Sequence, residues 1–452
     1  MDSPAILRAD VRPDPSEHEA ASTGSLYRLR DEIESRSAPV AVVGLGYVGL
    51  PLVVAIGAAG FPTIGLDLDR GKIRSLAAGR SYIPDVADEE LAAARPALSS
   101  DPRCVAAADV VLVTVPTPLT DGVPDLTLVR AATEDVARAL RPGQLVILES
   151  TTYPGTTEEV VLPILVSTGL TPGRDFALAY SPERIDPGST WGLVDTPKIV
   201  SGIDELAAEL AAAFYRQLVK QVVLTPSPRE AEMAKLIENT FRHVNIALVN
   251  ELAIIAPELG VDIWAALDAA ATKPFGYMPF WPGPGVGGHC IAIDPTYLSW
   301  RVGQRLGFGV DFIEHAKSVN NRMPSHVAGR IAQALNDHGK PVRGSAVMAV
   351  GVPYKAGVND LRESPALEVI ERLRAAGAIC SYHDDFVPAV RTDALDLRSQ
   401  PLDPDLLASQ DCVAILTAHP QVDYELIVRA APLVFDARGV TRSMRASNVV
   451  LL

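Results

Sequence analysis

Cysteine is scarce in this chain: 452 residues hold four, Cys104, Cys290, Cys380 and Cys412, far apart and with no C-x-x-C pair. That excludes a disulfide-stapled fold and a cysteine zinc site, so no metal is expected, and it fits the reducing cytoplasm. Positive charge is short as well, with 40 Lys and Arg against 55 Asp and Glu and a net charge of -15. Nucleic acid and anionic membrane surfaces are therefore excluded as general partners, while a local basic pocket for a diphosphate remains compatible. The first 37 residues lack the apolar core of a signal peptide, and residues 1–38 read as a flexible polar extension. A chain of this length exceeds one ordinary core and implies two or three domains.

Charge is absent altogether from Pro39 to Leu66, a run long enough to span a bilayer. Gly44, Gly46, Gly49, Pro51 and Pro62 interrupt it, and it leads into the β-like TIGLDLD. The run therefore reads as strand, glycine turn, helix and strand, the opening unit of a doubly wound α/β domain, and no membrane is expected. Further buried strands are expected in VVLVTVP (110–116), LVILEST (145–151) and FALAYSPE (176–183). Ligands in such sheets lie beyond the strand ends, so these tails should carry the site.

From Arg229 to about Gly260, Met233, Leu236, Ile237, Phe241, Val244, Leu248, Leu252 and Ile255 recur at helical spacing. A helix of that length implies a spine linking domains and subunits. A second α/β unit begins at AVMAVGVPYK (346–355), with strands at AICSYHD, DCVAILT and LVFDARG and no second glycine fingerprint. The expected fold is α/β: two Rossmann-like doubly wound domains joined by a long central helix. The expected divisions are 39–226, 227–330 and 331–452.

Gly44-x-Gly46-x-x-Gly49 stands between a strand and a helix, with Asp67 at the end of the next strand. The glycines permit close approach of a pyrophosphate to a helix N-terminus, and Asp67 suits an adenosine ribose diol, which favours NAD over NADP. Arg70 and Lys72 nearby pull the other way. Lys235 and Asn239, at i and i+4, project from one helix face and suit an oxyanion, although a solvated face is the ordinary fate of a helical lysine. Cys290 closes the glycine- and proline-rich GPGVGGHC, with Asp294 four residues on. A cysteine there is placed for covalent chemistry once activated by Lys235, His289 or a helix N-terminus, and Asp294 for holding or deprotonating a water. A buried thiol and an ordinary Asp-Pro turn are the plainer alternatives.

Six motifs then stand in order: GLGYVGLPL, ESTTYPGTTEE, SPERIDPG, EMAKLIENTFRHVN, GPGVGGHCIAID and YKAGVNDLRESPALE. Together they resemble the UDP-glucose/GDP-mannose dehydrogenase family of nucleotide-sugar 6-dehydrogenases, over everything from Val40 onward. The resemblance implies oxidation of a sugar hydroxymethyl to a carboxylate, with two NAD and one water, through a thiohemiacetal and a thioester. It implies Cys290 as nucleophile, Lys235, Asn239 and Asp294 as catalytic partners, Thr151 positioning water, and Glu183 as active-site carboxylate. Tyr47, Val48, Pro116, Thr117 and Thr151 join the cofactor set by position. Arg184, Arg242, Gly287, Lys355 and Arg362 join Glu183, Lys235 and Asn239 in the set for a nucleotide-diphosphate sugar. A homodimer or higher homo-oligomer and a role in polysaccharide biosynthesis are also implied. Pro187, where glucose-specific members usually carry a second glutamate, and Arg242 resemble the UDP-N-acetylhexosamine branch. A dTDP- or UDP-glucose enzyme of specialised metabolism, a one-hydride β-hydroxyacid-type dehydrogenase and an NAD-sensing regulator are the competing readings.

Overall fold

The computed structural model describes residues 15–83, 85–185, 191–444 and 446–452, with the side chains of 15–23 and 289 left aside. Two compact units emerge: residues up to Thr117 with Asp125–Lys235, and Pro118–Pro124 with Leu236–Leu452.

In the first unit, charge-free segments become strands buried on both faces, as a sheet covered by helices on each side requires. The uncharged run after Pro39 becomes β1 (Val40–Val43), the helix Gly49–Ala58 and β2 (Thr63–Leu66). Next come β3 (Ala97–Ser99), β4 (Val110–Val113) and a hairpin, β5 (Leu119–Thr120) with β6 (Val123–Pro124), which belongs to the second unit. The sheet continues with β7 (Gln144–Leu148), β8 (Phe176–Tyr180), β9 (Lys198–Gly202) and β10 (Val222–Leu224). Its spatial order is β10-β9-β8-β7-β4-β1-β2-β3. From β3 to β8 every pairing is parallel, and the chain order reverses between β1 and β4, the crevice where such sheets bind dinucleotides. The one antiparallel step is β8 to β9, so the outer two strands run against the rest.

The amino-terminal segment departs from the expected flexible extension. Pro15–Glu34 is a helix, and Leu26, Leu29 and Ile33 enter the core of the first unit. Their i, i+3, i+7 spacing is one apolar helix stripe, diluted in a composition that is otherwise polar. Residues 1–14 lie outside the described chain.

The second unit holds a parallel sheet of β11 (Ala346–Val350), β12 (Ile379–His383), β15 (Cys412–Ile415), β16 (Val434–Asp436) and β17 (Val449–Leu451). Between them lies the small hairpin β13 (Ala389–Arg391) and β14 (Asp396–Arg398). The order β12-β11-β15-β16-β17 reverses between β11 and β15, so the loop after β11 emerges at a second ligand crevice. The expected middle region and carboxy-terminal domain share one core here. Trp264, Leu267, Met323 and Val327 pack in the same cluster as Val347, Ala349 and Phe435.

The long helix runs Pro228–Ile255, and the division between units falls within it, after Lys235. Its apolar positions do not all face a core. Leu236 is buried, whereas Ile237 and Leu248 are 56% and 52% exposed, and Met233, Phe241, Leu252 and Ile255 are exposed beside them. Among the described residues no helix is long and apolar enough to cross a membrane.

Candidate active site

The glycine turn after β1 fits a dinucleotide for steric reasons that can be stated atom by atom. Gly44 has φ of 96°, a conformation open mainly to glycine. A Cβ on Gly49 would lie 1.8 Å from the Gly44 carbonyl oxygen and 2.6 Å from Thr114 Oγ1, so only glycine lets the helix pack this closely. A Cβ on Gly46 would meet nothing within 4 Å, which leaves the face a pyrophosphate needs. The helix Gly49–Ala58 has Val48 as its N-cap and no side-chain cap, so no side chain competes with an anion at its N-terminus. Tyr47 is exposed beside them, and Pro116 and Thr117 follow β4 across the crevice.

Asp67 is tied on both oxygens, Oδ2 accepting from Leu45 N at 3.0 Å and Oδ1 from Asp69 N at 2.9 Å. Lys72 Nζ donates to Asp67 Oδ2 at 2.9 Å. Lys72 is thus paired with the Asp67 carboxylate, while Arg70 is exposed in the same helical turn. Tyr82, which sequence reasoning missed, donates to the Leu45 carbonyl at 2.5 Å and steadies the turn from the other side.

At the ends of β7 and β8 lies a buried charge cluster. Thr151 follows β7 and is half-buried, and Glu183 follows β8 and is buried. Lys198, at the start of β9, donates to Glu149 at 3.0 Å and to Glu183 at 3.1 Å. Tyr215 donates to the other Glu149 oxygen, and Glu183 also accepts from the Arg184 and Ile185 N–H groups at 2.7 and 2.6 Å. Burial alone would push the Glu183 carboxyl up. Lys198, the Ile185 N–H and the buried Lys235 outweigh it and hold the group below the ordinary range. Glu149 goes the other way: burial raises it, and repulsion from Glu183 adds to the effect against the pull of Lys198. Lys235 is thus no solvated lysine but part of the surroundings of Glu183. Glu149 and Lys198 were missed because only the sheet order brings them to Glu183. The Arg184 guanidinium donates to the Pro197 carbonyl at 2.5 Å, which anchors it along the same rim.

On the same helix as Lys235, Glu232 accepts from Gly155 N at 2.5 Å, Thr157 N at 2.9 Å and Thr157 Oγ1 at 2.8 Å. Burial pushes its carboxyl up to about 7 despite these three donors. A folded-state value above the unfolded 4.5 means that the folded protein holds a proton the unfolded chain gives up. Stability from this group is present at low pH and lost as pH rises from about 4.5 to about 7, by about 3 kcal/mol in all. Urea unfolding of wild type and Glu232→Gln at pH 5 and pH 8 should show that slope only in wild type. Parallel pH dependences would refute it.

In the second unit Cys290 sits in the first turn of the helix His289–Leu306, not within the glycine loop itself. It is exposed, at a place where the helix dipole favours an anionic sulfur. Asp294 lies in the same helix, buried, and accepts from Asn239 Nδ2 at 2.6 Å. The plain Asp-Pro turn is thereby ruled out. The glycines before Cys290 let two loops touch. A Cβ on Gly287 would lie 2.4 Å from the Glu363 carbonyl oxygen, and one on Gly288, at φ of 80°, would strike the Tyr354 ring at 2.6 Å. Gly288 N donates to the Arg362 carbonyl at 3.0 Å, so the loop carrying Tyr354, Lys355 and Arg362 is docked on the segment leading to Cys290. The Arg362 guanidinium is braced by Asp360 through both carboxylate oxygens, at 2.7 to 3.1 Å. Behind that loop a buried pair, His419 Nε2 and Asp384 Oδ2 at 3.0 Å, receives the Gly357 and Val352 N–H groups. Arg242 is half-buried on the long helix, and Pro187 lies outside the described residues.

Residues 38–219 match the NAD binding domain of the UDP-glucose/GDP-mannose dehydrogenase family, 229–322 its central domain, and 348–443 its UDP binding domain. The chain belongs to that family. It is an NAD-dependent oxidoreductase of nucleotide sugars, and the regulator reading falls away. A UDP-N-acetyl-D-mannosamine dehydrogenase of Pyrococcus horikoshii is 34% identical over 414 residues, 89% of this chain and 96% of the relative. A UDP-N-acetyl-D-glucosamine 6-dehydrogenase of Salmonella typhi is 38% identical over 355 residues, 77% and 83% of the two chains. The structure of a UDP-glucose dehydrogenase from Pyrobaculum islandicum is similar at a TM-score of 0.80 and 30% identity, covering 91% of this chain and 97% of that one.

Proposed function

We propose that this dehydrogenase converts the C6 hydroxymethyl of a UDP-N-acetylhexosamine into a carboxylate, with Cys290 as the covalent nucleophile. The observation that carries the reading is a thiol in the first turn of a helix whose next turn holds a buried aspartate fixed by an asparagine amide. Gly44, Gly46, Gly49 and Asp67 would hold NAD, which would supply the hydride acceptor for both oxidations. The alcohol gives up a hydride and its hydroxyl proton to become an aldehyde, and the Cys290 sulfur adds to the carbonyl carbon. Loss of a second hydride and of the hydroxyl proton from that thiohemiacetal leaves a thioester. Water then adds at the carbonyl, the carbon–sulfur bond breaks, and carboxylate and thiol remain.

Lys235 supplies positive charge for the substrate oxygen, and Asn239 both supports that oxygen and aligns Asp294. Asp294 takes the proton of the attacking water, which Thr151 orients with Glu183. Arg184, Arg242, Gly287, Lys355 and Arg362 hold the nucleotide sugar. The acetamido sugar is supported by Arg242 and by the names of the relatives from Pyrococcus horikoshii and Salmonella typhi. Glucose is the second reading, favoured by the likeness to the Pyrobaculum islandicum enzyme. The exposed stripe Met233, Ile237, Phe241, Leu248, Leu252 and Ile255 supports a homodimer through the long helix. The four free cysteines suit the cytoplasm, with polysaccharide precursors as the setting.

The test is turnover of UDP-N-acetylglucosamine, UDP-N-acetylmannosamine, UDP-glucose and dTDP-glucose with NAD, counting NADH per sugar consumed. Two NADH and one uronate are expected, with acetamido substrates preferred by more than about 10-fold in kcat/KM. One NADH per sugar would defeat the mechanism, and activity confined to the glucose nucleotides would defeat the substrate assignment.

A further inference from the structure

The loop between β11 and the helix Pro365–Ala375 carries Tyr354, Lys355 and Arg362, within the stretch that matches the UDP binding domain of the family. Its two ends are tied down. Gly351 N donates to the His383 carbonyl at 3.0 Å, the Thr417 hydroxyl to the Pro353 carbonyl at 2.5 Å, and the Ser364 hydroxyl to the Val352 carbonyl at 2.6 Å. The tip around Lys355 and Gly357 is all turn and bend, so no helix or strand holds it.

A histidine meets that tip. Gly357 N donates to His419 Nδ1 at 3.1 Å, and His419 Nε2 lies 3.0 Å from Asp384 Oδ2. A backbone N–H can only donate, so Nδ1 is the bare nitrogen and Nε2 carries the proton. The other partner agrees with that tautomer. Asp384 Oδ2 also accepts from Val352 N at 2.9 Å, and Oδ1 accepts from Phe386 N and Val387 N at 2.9 and 3.0 Å. Burial would raise this carboxyl, yet the His419 N–H with the Val352 and Phe386 N–H groups holds it below the ordinary range. His419 is 1% exposed, and the Phe386 ring packs against the imidazole with centroids 5.0 Å apart. The Tyr424 hydroxyl donates to the His419 carbonyl at 2.8 Å and fixes the main chain as well. A neutral imidazole is thus held rigidly, with its one free acceptor turned to Gly357, two residues from Lys355.

We propose that His419 is a positioning residue for nucleotide binding: as the neutral bridge between Asp384 and the Gly357 N–H, it sets the loop tip that presents Lys355. A loop free to leave that arrangement lowers apparent affinity by the fraction of time it is away, without touching the reacting groups. The consequence for binding rests on the reading of Lys355 and Arg362 as contacts of the nucleotide sugar. The hold on the loop does not.

Two substitutions separate the two ring nitrogens. The Asn amide oxygen falls where Nδ1 stood, so His419→Asn keeps an acceptor for Gly357 and gives up the bond to Asp384. The Gln amide nitrogen falls where Nε2 stood, so His419→Gln keeps a donor for Asp384 and gives up the bond to Gly357. Wild type, both variants, Lys355→Ala and Arg362→Ala are titrated with UDP by calorimetry and assayed with UDP-N-acetylglucosamine for kcat and KM. Hydrogen exchange at Gly357 is followed by mass spectrometry. His419→Gln should weaken UDP binding and raise KM by about 5-fold or more, with kcat within about threefold of wild type. Its Gly357 amide should exchange faster by about 10-fold or more. His419→Asn should stay within about twofold of wild type in UDP affinity. A ring that only fills space would make the two substitutions equivalent, since each removes one hydrogen bond from the same buried site. Wild-type UDP affinity in His419→Gln, or an equal loss in both variants, overturns the proposal. So does exchange at Gly357 in wild type at the rate of an unstructured glycine, a measurement that needs no variant to fold. If Lys355→Ala and Arg362→Ala both bind UDP as wild type does, the reading of the loop as a nucleotide contact fails and the effect on binding falls with it. The exchange rates then decide whether His419 holds the loop.

Discussion

Cys290→Ser is expected to lower uronate formation by on the order of 10³-fold or more while leaving nucleotide-sugar and NAD binding near wild type. The size of the effect follows from chemistry and not from packing. Cys290 is exposed in the first turn of its helix, where serine is at least as well tolerated, so the change in stability should stay within about 0.5 kcal/mol. An oxygen nucleophile held at the same place is far less ionised at neutral pH than a sulfur, and an ester is a poorer acyl donor than a thioester. Binding is measured by calorimetry, product by mass spectrometry and folding by thermal melting. Uronate produced at the wild-type rate, or a loss matched by a large drop in melting temperature, would remove the cysteine from the mechanism.

What could be read from the amino-acid order alone divides along physical lines. The glycine turn, the buried strands and the carboxy-terminal sheet were legible because runs such as VVLV and CVAI leave no other home for their side chains. Asn239 and Asp294 could be named, but their 2.6 Å contact joins residues 55 apart and has no local signal. Lys198 was invisible for the same reason. It becomes informative only when β9 is laid antiparallel to β8 and its first residue meets the tails of two other strands. The exposure of Ile237 was not legible because helical spacing says that a stripe is apolar and not what covers it. The amino-terminal helix was missed because three large aliphatic residues in twenty barely disturb a polar composition.

Lys198→Met should destabilise the first unit by about 3–5 kcal/mol at neutral pH, the usual cost of breaking a buried ion pair from one side. Lys198 is buried and is the cation that both Glu149 and Glu183 face at hydrogen-bonding distance. Its removal leaves two carboxylates of like charge in a low-dielectric interior, both raised by burial and Glu149 also by the charge of Glu183. In wild type the depressed Glu183 contributes stability that is present above its unfolded value and lost as pH falls through the folded one. In the variant that sign reverses: the folded state binds the proton more tightly, so stability declines as pH rises. Glu149→Gln placed in the Lys198→Met background removes one of the opposing charges and keeps a hydrogen-bonding partner for Tyr215, so it should recover part of the lost stability. Urea denaturation of wild type, both single variants and the double variant at pH 5 and pH 8 supplies the cycle. If the two substitutions destabilise additively at both pH values, Lys198 is not the counterion of the pair and Glu183 is held by its backbone donors alone.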